Sequence, residues 1–342
     1  MKNANISIFI PHNGCENQCS FCNQKNITGI KTQPTPNEVK NILEKAKNDL
    51  KNRGNRKFSK VQIAFFGGSF TAIDRDYMVS LLKTASEFLS DEIFDGIRVS
   101  TRPDKIDDEV VDILKYYGVK TIELGAQSVD EEVLLANKRG HTSESVKIAS
   151  EKIKNAGINL GLQMMTGLYK SNFQKDINTA LEFIKLRPDM VRIYPTVVLK
   201  GTELEKLYKK GKYTPMSFEE TVNLCSELLR LFGKENKIPV IRLGLHDSES
   251  LRQNMIAGVF HPAFREFCES RIFYLDALDK IKEIKTDKNF QLSNFTVKIN
   301  PRDLSKFCGQ KKENIKKFRE LGYNINILQD EKMKPQNFEV FV

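Results

Sequence analysis

The sequence predicts an α/β fold: a partial or full (β/α) barrel over residues 1–268, then a small α+β module over 269–342. Three observations carry that expectation. Strand and helix signals alternate through about the first 265 residues, the pattern of a parallel sheet wrapped by helices. The chemically unusual residues fall at or just past the C-terminal ends of the strand signals, where barrel active sites are built. The remainder of the chain changes to strand, helix, short basic loop, helix, strand.

Taken in order, Ile6–Ile10 reads as a strand that runs straight into a loop from His12 to Cys22. A helix begins near Asn37, with Pro36 just ahead of it. Val61–Phe66 is a short apolar run stopped by Gly67 and Gly68, the profile of a buried strand, and a helix follows from about Asp76 to Ser90. Ile97–Ser100 pairs with a helix at Asp107–Tyr117 that Gly118 stops. Thr121–Gly125 is the fourth strand, with helix signals at Asp130–Ala136 and Ser143–Ala156. Leu160–Met165 is followed by a helix from about Asn172 to Leu186. Met190–Val197 is followed by a helix at Ser217–Lys234, and Val240–Leu243 reads as a seventh strand. Periodicity alone would fit a doubly wound sheet nearly as well. The barrel is favoured because the cysteine loop, Gly67-Gly68-Ser69, Ser100 with Arg102, Gln127 and Tyr194 all sit at strand ends.

Size and composition fit a globular protein with a real core: 342 residues, 40% hydrophobic and 29% charged. No apolar run approaches the roughly 20 residues needed to span a bilayer, and no secretory leader is evident, so a cytoplasmic location is expected. The net charge of +10 suits nucleic acid as a partner, although a Lys-rich composition also arises from solubility alone. Without a leader, the six cysteines do not suggest a disulfide framework. Three of them lie close together near the N-terminus, which in a reducing compartment points to metal.

Cys15-Glu-Asn-Gln-Cys19-Ser-Phe-Cys22 has the spacing Cys-x3-Cys-x2-Cys. Three thiolates on one tight loop suit three corners of a four-iron four-sulfur cube. Without a nearby histidine or fourth cysteine they do not complete a closed zinc site. A zinc knuckle with a distant ligand, or three structural thiols, are the competing readings. Cys225, Cys268 and Cys308 belong to no paired spacing, and Cys225 falls on an apolar helix face as a small buried hydrophobe would.

The cysteine loop closely resembles that of the radical S-adenosylmethionine (SAM) superfamily. The resemblance implies a 4Fe-4S cluster on Cys15, Cys19 and Cys22, with SAM on the open iron through its methionyl amine and carboxylate. It also implies one-electron cleavage of SAM to a 5′-deoxyadenosyl radical, with electrons from an external donor such as ferredoxin or flavodoxin. Phe21 matches the family's aromatic position near the adenine. Gly67-Gly68-Ser69 stands where the superfamily often has Gly-Gly-Glu against the methionyl amine.

Several further motifs, over residues 5–265, resemble the branch that contains the catalytic subunit of Elongator. They are Ser100-Thr-Arg102-Pro-Asp104, Glu123-Leu-Gly-Ala-Gln127-Ser128, Lys138-Arg-Gly-His141-Thr142, Arg192-Ile-Tyr194-Pro-Thr196 and Gly201-Thr-Glu203-Leu. By that resemblance Ser100, Arg102, Gln127 and Gln163 surround SAM, and Tyr194 closes the pocket. Singly, Arg102 also reads as a salt-bridge partner, Glu123 as half of a barrel-core ion pair, His141 as a helix cap and His261 as turn packing. Two features depart from the Elongator enzyme. The first cysteine gap is the short one of ordinary radical SAM proteins, and no acetyltransferase domain is expected in a chain of this length.

The C-terminal signals are a strand at Phe295–Ile299, a helix at Pro301–Phe307, the turn Gly309-Gln-Lys-Lys312, a helix at Glu313–Leu321 and a strand at Asn324–Leu328. A last strand covers Phe338–Val342. The order resembles the core of a KH module, whose Gly-x-x-Gly loop clamps a nucleic-acid backbone. Lys312 replaces the second glycine, and Lys311, Lys312, Lys316, Lys317 and Arg319 form a candidate RNA-binding cluster. A small cap packed on the barrel is the alternative. Three functions follow: a radical SAM enzyme on RNA, such as tRNA; one on a small metabolite such as a tetrapyrrole, as in coproporphyrinogen oxidase; or a non-catalytic iron–sulfur RNA-binding protein. The first is preferred.

Overall fold

A computed structural model describes residues 3–11, 15, 18–23, 32–52, 60–91, 93–288 and 293–342. His12 lies outside the described residues. Seven parallel strands form one sheet in the order β1 (Asn3–Ile10), β2 (Lys60–Gly67), β3 (Gly96–Thr101), β4 (Val119–Gln127), β5 (Asn159–Thr166), β6 (Met190–Pro195) and β8 (Val240–Leu243). β1 and β8 are the two edges and do not pair with each other, so the barrel is partial. Helices α1 (Pro36–Asn52), α2 (Arg75–Ser86), α3 (Asp108–Tyr116), α4 (Glu131–Ala136), α5 (Ser143–Asn155), α6 (Phe173–Leu186), α7 (Glu203–Lys209) and α8 (Phe218–Leu229) connect the strands.

Residues alternate between the two faces of a strand, and here the two faces differ in chemistry. Ile63, Phe65, Ile97, Val99, Ile122, Leu124, Leu160, Leu162, Val191 and Ile193 are all fully buried in the main core. The intervening residues Gln62, Arg98, Ser100, Thr121, Glu123, Gln163, Arg192 and Tyr194 line the other face, so the concave side of the open barrel is polar.

The sixth strand signal splits. Pro195 has no N–H to continue the ladder, and β7 (Val197–Leu199) turns away to pair antiparallel with β9 (Met255–Gly258), beyond the short helix α9 (Glu249–Asn254). The helix expected through Lys234 ends as an α-helix at Leu229 and continues as a π-helical turn, Arg230–Glu235. The next long helix, α10 (Phe264–Lys288), starts earlier than the Ser270 region would suggest. Phe264 and Cys268 pack into the main core, while Phe273, Tyr274, Ala277 and Ile281 pack into a second one. The expected boundary at 268/269 lies inside this helix.

The second core is aromatic, with Phe295, Phe307, Phe318 and Phe338 buried beneath a three-stranded sheet. β10 (Asn294–Ile299) is central, parallel to β11 (Asn324–Gln329) and antiparallel to β12 (Phe338–Phe341). Between β10 and β11 lie α11 (Leu304–Cys308) and α12 (Glu313–Glu320). No helix is long and apolar enough to cross a membrane among the described residues.

Candidate active site at the barrel mouth

The cysteine loop leaves β1 beside the end of β2, where two contacts hold the backbones together. Gly68 N–H donates to Ile10 C=O at 2.7 Å. Gly67 has φ of +117°, and a Cβ there would lie 2.7 Å from the same carbonyl oxygen, so only glycine fits. The loop turns tightly, with Cys22 N–H donating to Cys19 C=O at 3.1 Å. Ser20 is fully buried between the cysteines. Its N–H and hydroxyl donate to the Asn137 carbonyl and side-chain oxygens at 3.1 and 2.7 Å. The Cys15 thiol faces the Ser69 amide, with Cys19, Arg102 and Arg139 as its charged neighbours.

Arg139 emerges as the residue most closely tied to the loop. Its Nη1 donates to Cys19 Sγ at 2.9 Å, its Nη2 donates to Gly125 C=O, and its guanidinium lies over the Phe21 ring at 5.9 Å. His141, two residues on, takes Ala126 C=O as the partner of its Nε2 at 3.2 Å. Burial, reinforced by Arg139, pushes its pKa down to about 4, so the ring is neutral at physiological pH. It is therefore a core residue under the mouth rather than a helix cap, which is Thr142.

Ser69 is buried, sharing its hydroxyl with Thr101 at 2.8 Å and accepting from Arg102 N–H at 3.1 Å. Arg102 forms a bidentate pair with Asp104, at 2.9 and 3.0 Å. Burial opposes its charge, and the Asp104 bonds outweigh that and raise its pKa. Deeper in the concave face, Glu123 is paired with Arg98 on one side. On the other it meets Arg192, whose Nε lies 2.6 Å from Oε2. Gln163 donates to Glu123 at 3.0 Å and reaches Ser100 at 3.5 Å. Tyr194 accepts from Arg192 at 3.5 Å, and burial raises its pKa. Ser100, Gln163 and Tyr194 are thus joined through the Glu123 ion pair. Gln127, by contrast, adopts φ of +67° at the end of β4, near Gly125.

Among the described residues, no three His, Cys, Asp or Glu side chains converge as a preformed metal site. The donor set nevertheless suits a cluster and SAM. Three free thiols share one loop, and buried polar atoms around it (Arg102 Nη1, Gln127 Oε1, Arg139 Nε and Thr166 Oγ1) have no protein partner. Orphaned polar atoms gathered in one place mark a position for a polar ligand.

The profile of the radical SAM superfamily matches residues 9–184, just over half the chain. This chain belongs to the radical SAM superfamily. A second profile, the radical SAM C-terminal domain, matches residues 188–273. Membership implies an enzyme that uses SAM and a 4Fe-4S cluster. Among curated relatives, the tRNA uridine(34) acetyltransferase of Methanocaldococcus jannaschii is 28% identical over 49% of this chain and 35% of its own length. Human Elongator complex protein 3 is 32% identical over 50% of this chain and 35% of its own length. The radical SAM chain therefore spans about a third of these relatives. The solved Elp3 of Methanocaldococcus infernus shares the fold, with a TM-score of 0.61 at 19% identity over 84% of this chain and 68% of that one.

Sequence reasoning missed Arg139 as a partner of Cys19, because 120 residues separate them and no periodicity links them. It also missed the contact between the buried thiols of Cys225 and Cys268, brought together where α8 meets α10; burial drives the Cys225 pKa well up.

Asp176 lies in the first turn of α6, under the loop that follows β5. It accepts from Gly167 N–H at 2.8 Å and bonds the Ser171 hydroxyl, yet burial pushes its carboxyl up to about 7. The folded protein thus holds this proton more tightly than the unfolded chain. Its stabilising effect is complete below about pH 4 and is lost as pH rises through about 7. Asp176→Asn removes this titration. Urea midpoints at pH 5 and pH 8 should fall with pH in the wild type, by on the order of 1–3 kcal/mol more than in the variant. Parallel pH dependence in the two proteins would exclude the raised carboxyl.

Proposed function

We propose that this chain cleaves SAM reductively at a cluster held by Cys15, Cys19 and Cys22, and directs the resulting radical at RNA, with tRNA as the substrate class. The carrying observation is the pinned cysteine loop at the mouth of a partial barrel, surrounded by buried polar atoms that lack protein partners. When bound, the reduced cluster supplies the electron that breaks the SAM sulfonium and yields a 5′-deoxyadenosyl radical.

In this reading the chain's residues orient and shield. Gly67, Gly68 and Ser69 present backbone to the methionyl group, and Arg102 offers its orphaned Nη1 to a carboxylate. Arg139 steadies Cys19 while Phe21 faces the adenine. Ser100, Gln127, Gln163 and Tyr194 supply hydrogen-bonding groups for the ribose and amine. The ordered site keeps water away from a reactive species and holds its carbon near the target atom.

The RNA reading rests on the tRNA-acting relatives, the charge of +10 and the C-terminal module. We read that module, residues 269–342, as a KH-like unit appended to a core of residues 1–268. Its loop supports this. Gly309 has φ of +74°, and a Cβ there would press on Asn314 and Ser270. Lys311 and Lys312 both adopt left-handed backbone, so lysine occupies a conformation in which the second glycine of a KH loop would be at ease. Lys311, Lys312, Lys316 and Arg319 are exposed, whereas Lys317 pairs with Glu313 at 2.8 Å.

The test has two stages. Anaerobically reconstituted protein with dithionite or a reduced flavodoxin should form 5′-deoxyadenosine; a clustered protein that forms none would be a non-catalytic binder. Mass spectrometry of tRNA nucleosides from a deletion strain should then show a lost or shortened modification. An unchanged profile would remove tRNA as the substrate.

A further inference from the structure

A cavity of about 550 Å³ opens just past the end of β5, between the loop that follows the strand and the segment around Tyr213. Its volume falls in the range of small-ligand pockets. None of the residues that line it belongs to the SAM reading above. We propose that this cavity receives one nucleotide of the RNA substrate, the base stacking on aromatic side chains and the phosphate held by Lys170 and Lys212. The proposal rests on the RNA reading and adds a place where the strand is gripped next to the cysteine loop.

The lining has the composition that single-stranded nucleic acid selects, aromatic faces with cations beside them. Tyr169 and Tyr213 meet edge to face with ring centroids 6.3 Å apart. Phe173, in the first turn of α6, leaves 47% of its surface exposed, which is unusual for a phenylalanine on a rigid element. Lys170 sits over the Tyr169 ring at 5.8 Å, with a backbone φ of +68°. Left-handed backbone is strained for lysine, and such strain concentrates at ligand-binding sites. Lys212, also exposed, lies across the opening. The acidic residue on the rim, Glu220, is occupied in capping Ser217 at 2.7 and 2.8 Å, so its charge is turned to the helix start.

The walls are fixed in place and joined to the cysteine loop. Tyr213 hydroxyl donates to Gly167 C=O at 2.7 Å, and Asp176 holds the same loop from beneath. Asn137 donates to Tyr169 C=O at 2.9 Å while accepting from Ser20, between Cys19 and Cys22. Phe21 packs in the same apolar cluster as Tyr169 and Tyr213. One buried amide therefore connects the pocket wall to the cysteine loop, so a base held there places its neighbours along the strand close to the mouth.

Fluorescence anisotropy with 5′-fluorescein-labelled oligouridylate at low salt tests this on the full chain. Phe173→Ala should weaken binding by on the order of tenfold, within the range of about 1–3 kcal/mol per stacked base. Phe173→Tyr should restore it and Phe173→Leu should not. A Lys170→Glu, Lys212→Glu double variant should lower the salt dependence by about 0.7 per lost phosphate contact. All the substituted side chains are exposed, and thermal melts of the variants should match the wild type. A Lys311→Glu, Lys312→Glu variant serves as reference. If it alone weakens binding, the pocket proposal fails and the RNA reading stands. Wild-type protein that binds no RNA at low salt overturns both.

Discussion

Replacing Cys19 by serine should abolish iron retention and 5′-deoxyadenosine formation together. Three thiolates are the whole protein ligand set that the described chain offers near the mouth, and an alkoxide is a poor substitute for a soft sulfur ligand. The serine hydroxyl would still accept from Arg139, so the loop should keep its fold. That separates loss of ligation from loss of structure. Iron and sulfide content after anaerobic reconstitution should fall to background, while the far-ultraviolet circular dichroism stays unchanged. Cys225→Ser and Cys308→Ser are the matched controls and should retain the wild-type iron content. Cys225 is fully buried against Cys268, and Cys308 lies in the C-terminal module. Iron retained by Cys19→Ser at wild-type stoichiometry would rule out the cluster assignment.

The controls also show where the sequence was legible. The parallel strands could be read because each carries a run of buried apolar residues and several connecting helices stop at glycine. Gly118 and Gly157 have φ of +81° and +74° and end α3 and α5 as helix-terminal glycines do. The cysteine loop could be read because its ligands are neighbours in sequence. What could not be read depends on where distant elements meet. Arg139 follows a six-residue helix, α4, and nothing local reveals that its guanidinium points at Cys19. The early start of α10 is of a different kind, because Phe264 and Cys268 stand four residues apart on one helix face and were readable. The break between β6 and β7 follows from Pro195, whose missing N–H marks where pairing changes partner. The single-ended reading of Glu123 as half of an ion pair was right in kind, but the sequence gives no hint that two arginines share it.

That shared carboxylate is the basis of the second large effect. Glu123 is 1% exposed, with Arg98 and Arg192 against it and Gln163 donating to it. Gly161 on the neighbouring strand leaves the room it occupies, since a Cβ there would lie 2.8 Å from Glu123 Cγ. Removing one member of a buried charge group leaves its partners desolvated and unpaired, at a cost of about 3–5 kcal/mol. Glu123→Gln should lower the stability from urea denaturation by that amount, because Gln keeps the shape and loses the charge facing two guanidinium groups. Replacing Arg98, Glu123 and Arg192 together by leucine or methionine should recover much of the loss, since no buried charge then remains. A loss below about 1 kcal/mol in Glu123→Gln would mean that water reaches the arginines and the triad is not truly buried. The consequence for the site follows from the same contacts. Gln163 is held by Glu123 and bridges to Ser100, and Tyr194 is held by Arg192, so these three side chains inherit their positions from the ion pairs. At temperatures where Glu123→Gln is still folded, SAM affinity by equilibrium dialysis should therefore already be reduced. Unchanged affinity would place Ser100, Gln163 and Tyr194 outside the SAM site, leaving the triad a purely structural element of the barrel wall.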